Sequence, residues 1–299
     1  MKRIVVIGRC QAVGIGDALL HMLDDCEVSS FFIQDTQKKA VPPSVVEALA
    51  KSDIIFSHYF HDNEGLLSTS KLREEMGNLI LVPPVIFSGF HPDCLDVIWN
   101  GANCNSPLGV YHSAIVAAAY SLDIPCDRVP TLFNKLVYGR LGYFEEFAKA
   151  RTYLDSSMKA HGLDIAGEWP DWVRSGSFMH TFNHPKIGVL ASLAKLLAIK
   201  AGLVPAQTPT PEVTLDRLAL FASWPVYPEL AEGLSLKGSY TFKSDGMIDL
   251  IKGGHSLMSL REFVEGSYEI YTDIPAAAFD FPALVKTRAV LSALLAGKV

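Results

Sequence analysis

Cys10 stands where an apolar strand gives way to a helix, a place from which a thiol could act as a nucleophile. Ile4-Val5-Val6-Ile7 reads as a short buried strand, and Gly8-Arg9-Cys10-Gln11 as the turn that follows it. From Ala12 the period changes: Ile15, Leu19, Met22 and Leu23 fall on the apolar stripe of a helix. The carboxyl edge of an open α/β sheet is where such proteins place ligands. The free N–H groups of a helix start favour anions, and so the thiolate. A free cysteine is also a common small core residue, and position alone leaves both readings open. His91 could take the thiol's proton, because it lies on a loop that leaves the same edge. Asp93, two residues on, could orient the imidazole in the manner of a triad. The same segment also reads as a plain turn, with Pro92 holding His91 extended and Asp93 capping a helix through Trp99.

Other side chains invite other chemistry. His58 and His61 are three apart beside Asp62, and His180 and His184 have the i, i+4 spacing of a helical metal pair. No H-E-x-x-H run accompanies them, and Asn183-His184-Pro185 reads as a loop entering a helix, so no metal is expected. The five cysteines, Cys10, Cys26, Cys94, Cys104 and Cys126, show no C-x-x-C spacing, which excludes a zinc knuckle and a secreted disulfide framework. There is no G-x-G-x-x-G, Walker A or G-x-S-x-G run. Gly14 and Gly16 inside a helical pattern point to close packing or close ligand approach. Lys135, Arg140, Arg151 and Lys186 could receive phosphates, although single cations on helices are usually solvated.

The elements that must position these residues alternate in the first part of the chain. Strands are expected at 28–33, 53–57 and 78–82, with helices at 44–50 and 64–76. That order predicts an α/β fold with a doubly wound, mostly parallel sheet. Three polar loops leave its carboxyl edge: 8–11, 57–59 and 87–93. Beyond them the alternation stops. Helices are expected at 112–122, 143–161 and 187–197, with a hairpin over 239–250 around Ser244-Asp245-Gly246. The expected organisation is an α/β core over 1–108 and a mainly helical elaboration over 109–299.

Composition narrows the function. The chain has 299 residues, 49% of them hydrophobic and 19% charged, as in a globular enzyme rather than a disordered protein. A net charge of -6 argues against a nucleic-acid partner. No apolar run reaches the roughly 20 residues that span a bilayer. The apolar start breaks at Gly8-Arg9, too early for a signal peptide, so a cytoplasmic location is expected.

Gly8-Arg9-Cys10-Gln11, the segment Phe87-Ser88-Gly89-Phe90-His91-Pro92-Asp93 and Gly109-Val110-Tyr111-His112-Ser113 together resemble the WcbI-type family of bacterial capsule polysaccharide biosynthesis proteins. Trp224-Pro225-Val226-Tyr227-Pro228 and the run Leu236 to Lys243 are similar to its C-terminal part. The resemblance implies a layout like that of SGNH hydrolases, with coenzyme A or acetyl-CoA as co-substrate and O-acetylation of a carbohydrate as the reaction. It implies Cys10 as nucleophile, His91 as base and Gln11 near the oxyanion or substrate. The family usually has Asn where this chain has Arg9. Arg9, Gln11, Ser57, His58, Ser88, His112, His184 and Lys186 are the candidate cofactor contacts. The alternatives are a cysteine esterase or thioesterase with water as acceptor, and a non-catalytic protein that binds coenzyme A or a glycan.

Overall fold

The computed structural model describes residues 1–34, 40–246 and 256–297. Its first elements are β1 (Lys2–Gly8), α1 (Gln11–Met22), β2 (Cys26–Phe32), α2 (Pro43–Ala50), β3 (Ile54–Ser57), a 3-10 segment (Asp62–Leu67), α3 (Thr69–Glu75) and β4 (Leu79–Leu81). The four strands form one sheet in the order β2-β1-β3-β4, every pair parallel. Consecutive residues of a strand point to opposite faces. Val5, Ile7 and Ile55 pack with Val45 and Leu49 of α2, Leu72 of α3, and Ile33, Phe60 and Leu67. Ile4, Val6 and Phe56, equally buried, line the other face, where α1 packs on β1 and β2.

The helix expected at 64–76 is broken. Gly65 takes φ 65°, and Ser68 restarts the helix by accepting the Lys71 N–H on its hydroxyl.

Beyond the sheet come β5 (Cys94–Asp96), β6 (Ile98–Trp99), β7 (Ala102–Asn103), β8 (Tyr111–Ser113), α4 (Ala114–Ser121), α5 (Lys135–Leu141), α6 (Glu146–Ala160), α7 (Trp169–Arg174), α8 (Ile187–Lys200), α9 (Pro228–Gly233), α10 (Leu260–Tyr271) and α11 (Pro282–Leu295). The expected helix through Trp99 is replaced by short strands. Residues 112–113, expected as the start of a helix, belong instead to β8, which runs antiparallel to β5. Every residue from Tyr111 to Ala119 is buried, so the apolar run continues across the change of element and carries no period to mark it.

The expected hairpin differs too. Phe242–Lys243 pairs antiparallel with Leu257–Met258, and residues 247–250 lie outside the described residues. No helix among the described residues is long and apolar enough to cross a membrane.

The chain forms two compact units, neither of them a continuous segment. The first is Met1–Ile86, Tyr153–Phe178 and His184–Leu218; the second is Phe87–Thr152, Met179–Asn183 and Ala219–Val299. A cut at 108/109 therefore does not divide them: the chain leaves the sheet unit at Phe87 and returns twice to complete it. One return is α8, which packs on α1. A β-carbon on Gly14 would lie 2.5 Å from Leu190 of α8, and one on Gly16 would lie 2.4 Å from the Ser30 side chain of β2. Of the two roles open to these glycines, the structure shows close packing.

Candidate functional site

In the order β2-β1-β3-β4 the chain moves from β1 to one side and from β3 to the other, so the switch point lies at the carboxyl ends of β1 and β3. The loops there carry Arg9, Cys10 and Gln11 from one strand and Ser57 and His58 from the other. Five residues singled out in the sequence thus come together in the first unit.

The turn is tight. Ala12 donates to the Arg9 carbonyl at 2.9 Å, and Cys10 already has helical angles (φ -47°, ψ -29°). Its thiol therefore sits at the start of α1, where the Cys10 and Gln11 amides favour the thiolate. Burial opposes them and prevails, pushing the thiol up to about 11. The helix start alone does not set the state of the thiol.

Gln11 is a clamp. Its Nε2 donates to the Val85 carbonyl and its Oε1 accepts the Val85 N–H, both at 2.9 Å. That pair ties the start of α1 to the segment after β4. Oε1 is thus spent on the Val85 N–H, whereas Nε2 carries a second hydrogen beside the one given to the Val85 carbonyl.

Arg9 favours the Cys10 thiolate through its charge, though less than burial disfavours it. Its guanidinium donates to the Ile33 carbonyl at 3.0 Å and to Glu64 at 2.7 Å, and it lies over the Phe60 ring. Glu64 is 6% exposed, a buried carboxylate that meets the Arg9 cation. Glu64 was missed in the sequence, where nothing ties it to a position 55 residues earlier.

The Arg9 backbone N–H donates to Nδ1 of His58 at 3.1 Å. The His58 ring lies so close to Gly8 that a β-carbon there would come within 2.6 Å of Nδ1. Gly8→Ala is therefore expected to cost about 1–3 kcal/mol, the range for forcing extra atoms into a packed site. A urea melt checks it; a loss below the error of the method would mean that the ring moves aside freely. Ser57 donates to the His58 carbonyl at 2.7 Å and is fully buried, as a structural hydroxyl would be.

The second unit holds Ser88, His91 and Asp93 on one loop. The His91 N–H donates to the Ser88 carbonyl at 2.8 Å, and the Ser88 hydroxyl donates to Glu146 at 2.6 Å. Asp93 is fully buried and accepts four hydrogen bonds. Oδ1 takes the Ile115 N–H and the Tyr143 hydroxyl, both at 2.9 Å; Oδ2 takes the Ser113 hydroxyl and, at 2.7 Å, the Tyr227 hydroxyl. Burial pushes its carboxyl up to about 6 while these donors pull it down. With all four acceptor positions filled, Asp93 has none for an imidazole, and its expected role as orienter of His91 is corrected to that of a buried anchor.

His112 has partners of its own. His112 is fully buried, stacked on Tyr271, with Nδ1 3.0 Å from the Tyr271 hydroxyl and Nε2 3.1 Å from the Cys104 carbonyl. Burial pulls it down to about 4, so it is a neutral core residue rather than a cofactor contact. His184 is buried just before α8. Lys186 precedes α8 and feels the Asp216 carboxylate, which itself accepts the Ile187 N–H at 3.1 Å. A phosphate there would meet that carboxylate. Lys135 of the expected cationic set is paired with Glu232 at 2.6 Å.

A model of the family described as polysaccharide biosynthesis enzyme WcbI matches residues 3–206. The chain belongs to the WcbI family. A solved structure of WcbI, described as a novel polysaccharide biosynthesis enzyme in its native form without a disulfide bond between coenzyme A and one of its cysteines, has a similar fold. The TM-score is 0.66 at 17% identity, over 97% of this chain and 95% of that one. At that identity the likeness concerns the fold. No curated protein matches the chain. WcbI membership makes the chain one of a family of polysaccharide biosynthesis enzymes, and it confirms the resemblance read from the motifs.

Proposed function

We propose that this WcbI-family protein is an acyl-CoA-dependent O-acetyltransferase that acts in the cytoplasm on a sugar or polysaccharide precursor. The observation that carries the reading is Cys10, a thiol held at the start of α1 where β1 and β3 end. Coenzyme A comes from the WcbI structure and acetyl transfer from the family resemblance; an SGNH-like layout belongs to the same reading.

In the covalent route Cys10 passes its proton to His91 and its sulfur attacks the thioester carbonyl. The carbon–sulfur bond of the donor breaks, and coenzyme A leaves as the thiol with that proton. The acceptor hydroxyl then attacks the acyl-cysteine, losing its proton to the base and restoring the Cys10 thiol. In the direct route His91 takes the acceptor's proton, the hydroxyl attacks acetyl-CoA itself, the donor's carbon–sulfur bond breaks, and coenzyme A leaves as the thiol with that proton. A thiol raised to about 11 is protonated at neutral pH, which favours the direct route unless a base acts on it.

The test is turnover with acetyl-CoA and candidate sugars, with quenched samples analysed by mass spectrometry. Acetylated sugar together with an acetyl adduct on Cys10 is the expected covalent result. Acetylated sugar without an adduct indicates direct transfer, and free acetate without sugar indicates a thioesterase. No stabilisation of the protein by coenzyme A or acetyl-CoA in a thermal melt would end the reading.

A further inference from the structure

Where β1 and β3 end, the polar groups of the Cys10 turn are almost all committed. The Arg9 guanidinium is held by Glu64 and Ile33, the Gln11 amide by Val85, and the Cys10 and Gln11 amides face the Cys10 sulfur. One atom stands apart: Nε2 of His58 is buried with no partner among the described residues, in a side chain only 5% exposed. Its protonation follows from the opposite edge of the ring. The Arg9 N–H can only donate, so Nδ1 is the acceptor and the proton resides on Nε2. His58 thus offers a neutral N–H donor from which water is shut out. Buried donors without acceptors are rare and costly, and an absent ligand is one of the few reasons to keep one.

We propose that His58 Nε2–H is the hydrogen-bond donor for the carbonyl oxygen of an acyl thioester bound at the ends of β1 and β3. The inference rests on the acyl-CoA reading above and adds a catalytic residue to it. As the carbonyl carbon is attacked, its π pair moves onto the oxygen, and Nε2–H bonds that oxygen while keeping its proton. When the pair returns, the carbon–sulfur bond breaks and the thiol leaves with the proton taken from the nucleophile. A dry, fixed donor aimed at growing charge is the arrangement that stabilises such an oxygen most. Burial also holds His58 down at about 4, so it stays neutral and keeps Nδ1 open to Arg9 at working pH.

The experiment compares two inert ligands on the whole protein: S-acetonyl-coenzyme A, which presents a ketone oxygen, and S-propyl-coenzyme A, which lacks it. The ketone is expected to bind roughly tenfold more tightly, the ratio for one hydrogen bond near the upper end of its net range. In wild type labelled with nitrogen-15 histidine, the His58 Nε2–H resonance should move with the ketone and not with the propyl compound. His58→Phe should abolish the preference, and His58→Gln, which retains a side-chain N–H donor, should keep part of it. Two ligands that bind equally and leave the resonance in place would overturn the His58 assignment and leave the acyl-CoA reading standing. If neither ligand binds, both fall. Should His58→Phe fail to fold, the resonance of the wild-type protein still decides.

Discussion

Asp93→Ala is expected to lower the folding stability by about 3–5 kcal/mol, because it strips the acceptor from several buried donors at once. The Ile115 N–H cannot turn to find another partner, and the Tyr143, Tyr227 and Ser113 hydroxyls would face the void left by the carboxylate. Tyr138 stacks on both Tyr143 and Tyr227, so a shift of either ring is passed on through the aromatic cluster. Asp93→Asn keeps the volume. The Ser113 and Tyr227 hydroxyls can rotate to accept from its amide, and the expected cost falls to about 1–2 kcal/mol. Urea midpoints at unchanged slope measure both variants; an alanine variant within about 1 kcal/mol of wild type would show that the cage carries little.

The pH dependence has a definite sign. A folded value of about 6 lies above the ordinary 3.8, so between those values the folded chain binds a proton that the unfolded chain has lost. The contribution of Asp93 is fully present below that window and is lost as pH rises to about 6. Asp96, also raised by burial to about 6, acts in the same direction. The difference between wild type and Asp93→Asn isolates the one from the other.

Cys10 carries the second large effect. Cys10→Ser is expected to lower acetyl transfer by on the order of 10^3-fold or more if the sulfur is acylated, and by far less if transfer is direct. The native thiol should also resist alkylation near neutral pH. With its value at about 11 against 9.0 for a free thiol, it is expected to react more slowly than the unfolded chain. The deficit is roughly 100-fold, two factors of ten in thiolate fraction. Its alkylation rate, followed by mapping the Cys10 peptide, should climb about tenfold per pH unit until it levels near 11. A plateau near pH 7 would mean that an unrecognised cation or base activates the sulfur.

Much of the sheet unit was legible because its signals are local. The change of period at Ala12 marked the start of α1, and short apolar runs between helical stripes marked the strands. The Cys10 turn and the two other polar loops were found in the same way. What escaped depends on residues far apart. Glu64 meets Arg9 across 55 positions, and Tyr143 and Tyr227 reach Asp93 across 50 and 134. No spacing rule relates such pairs. His112 was misplaced for a different reason: a buried strand running straight into a buried helix has no polar side from which to count. The departure at Arg9 raised a question about the oxyanion that its side chain does not answer, since the guanidinium is occupied elsewhere. Its backbone N–H, which an Asn would supply equally, sets the tautomer of His58.

The division of the chain into interleaved units also sets an order of assembly on the ribosome. The strands of the sheet emerge first, but the surface of α1 that carries Gly14 has its counterpart in Leu190 of α8, more than 160 residues later. At about 5–20 residues per second that is a delay on the order of ten seconds. Through that interval α1 rests on β1 and β2 while its Gly14 face waits for α8, and that uncovered face is what a chaperone would be expected to meet.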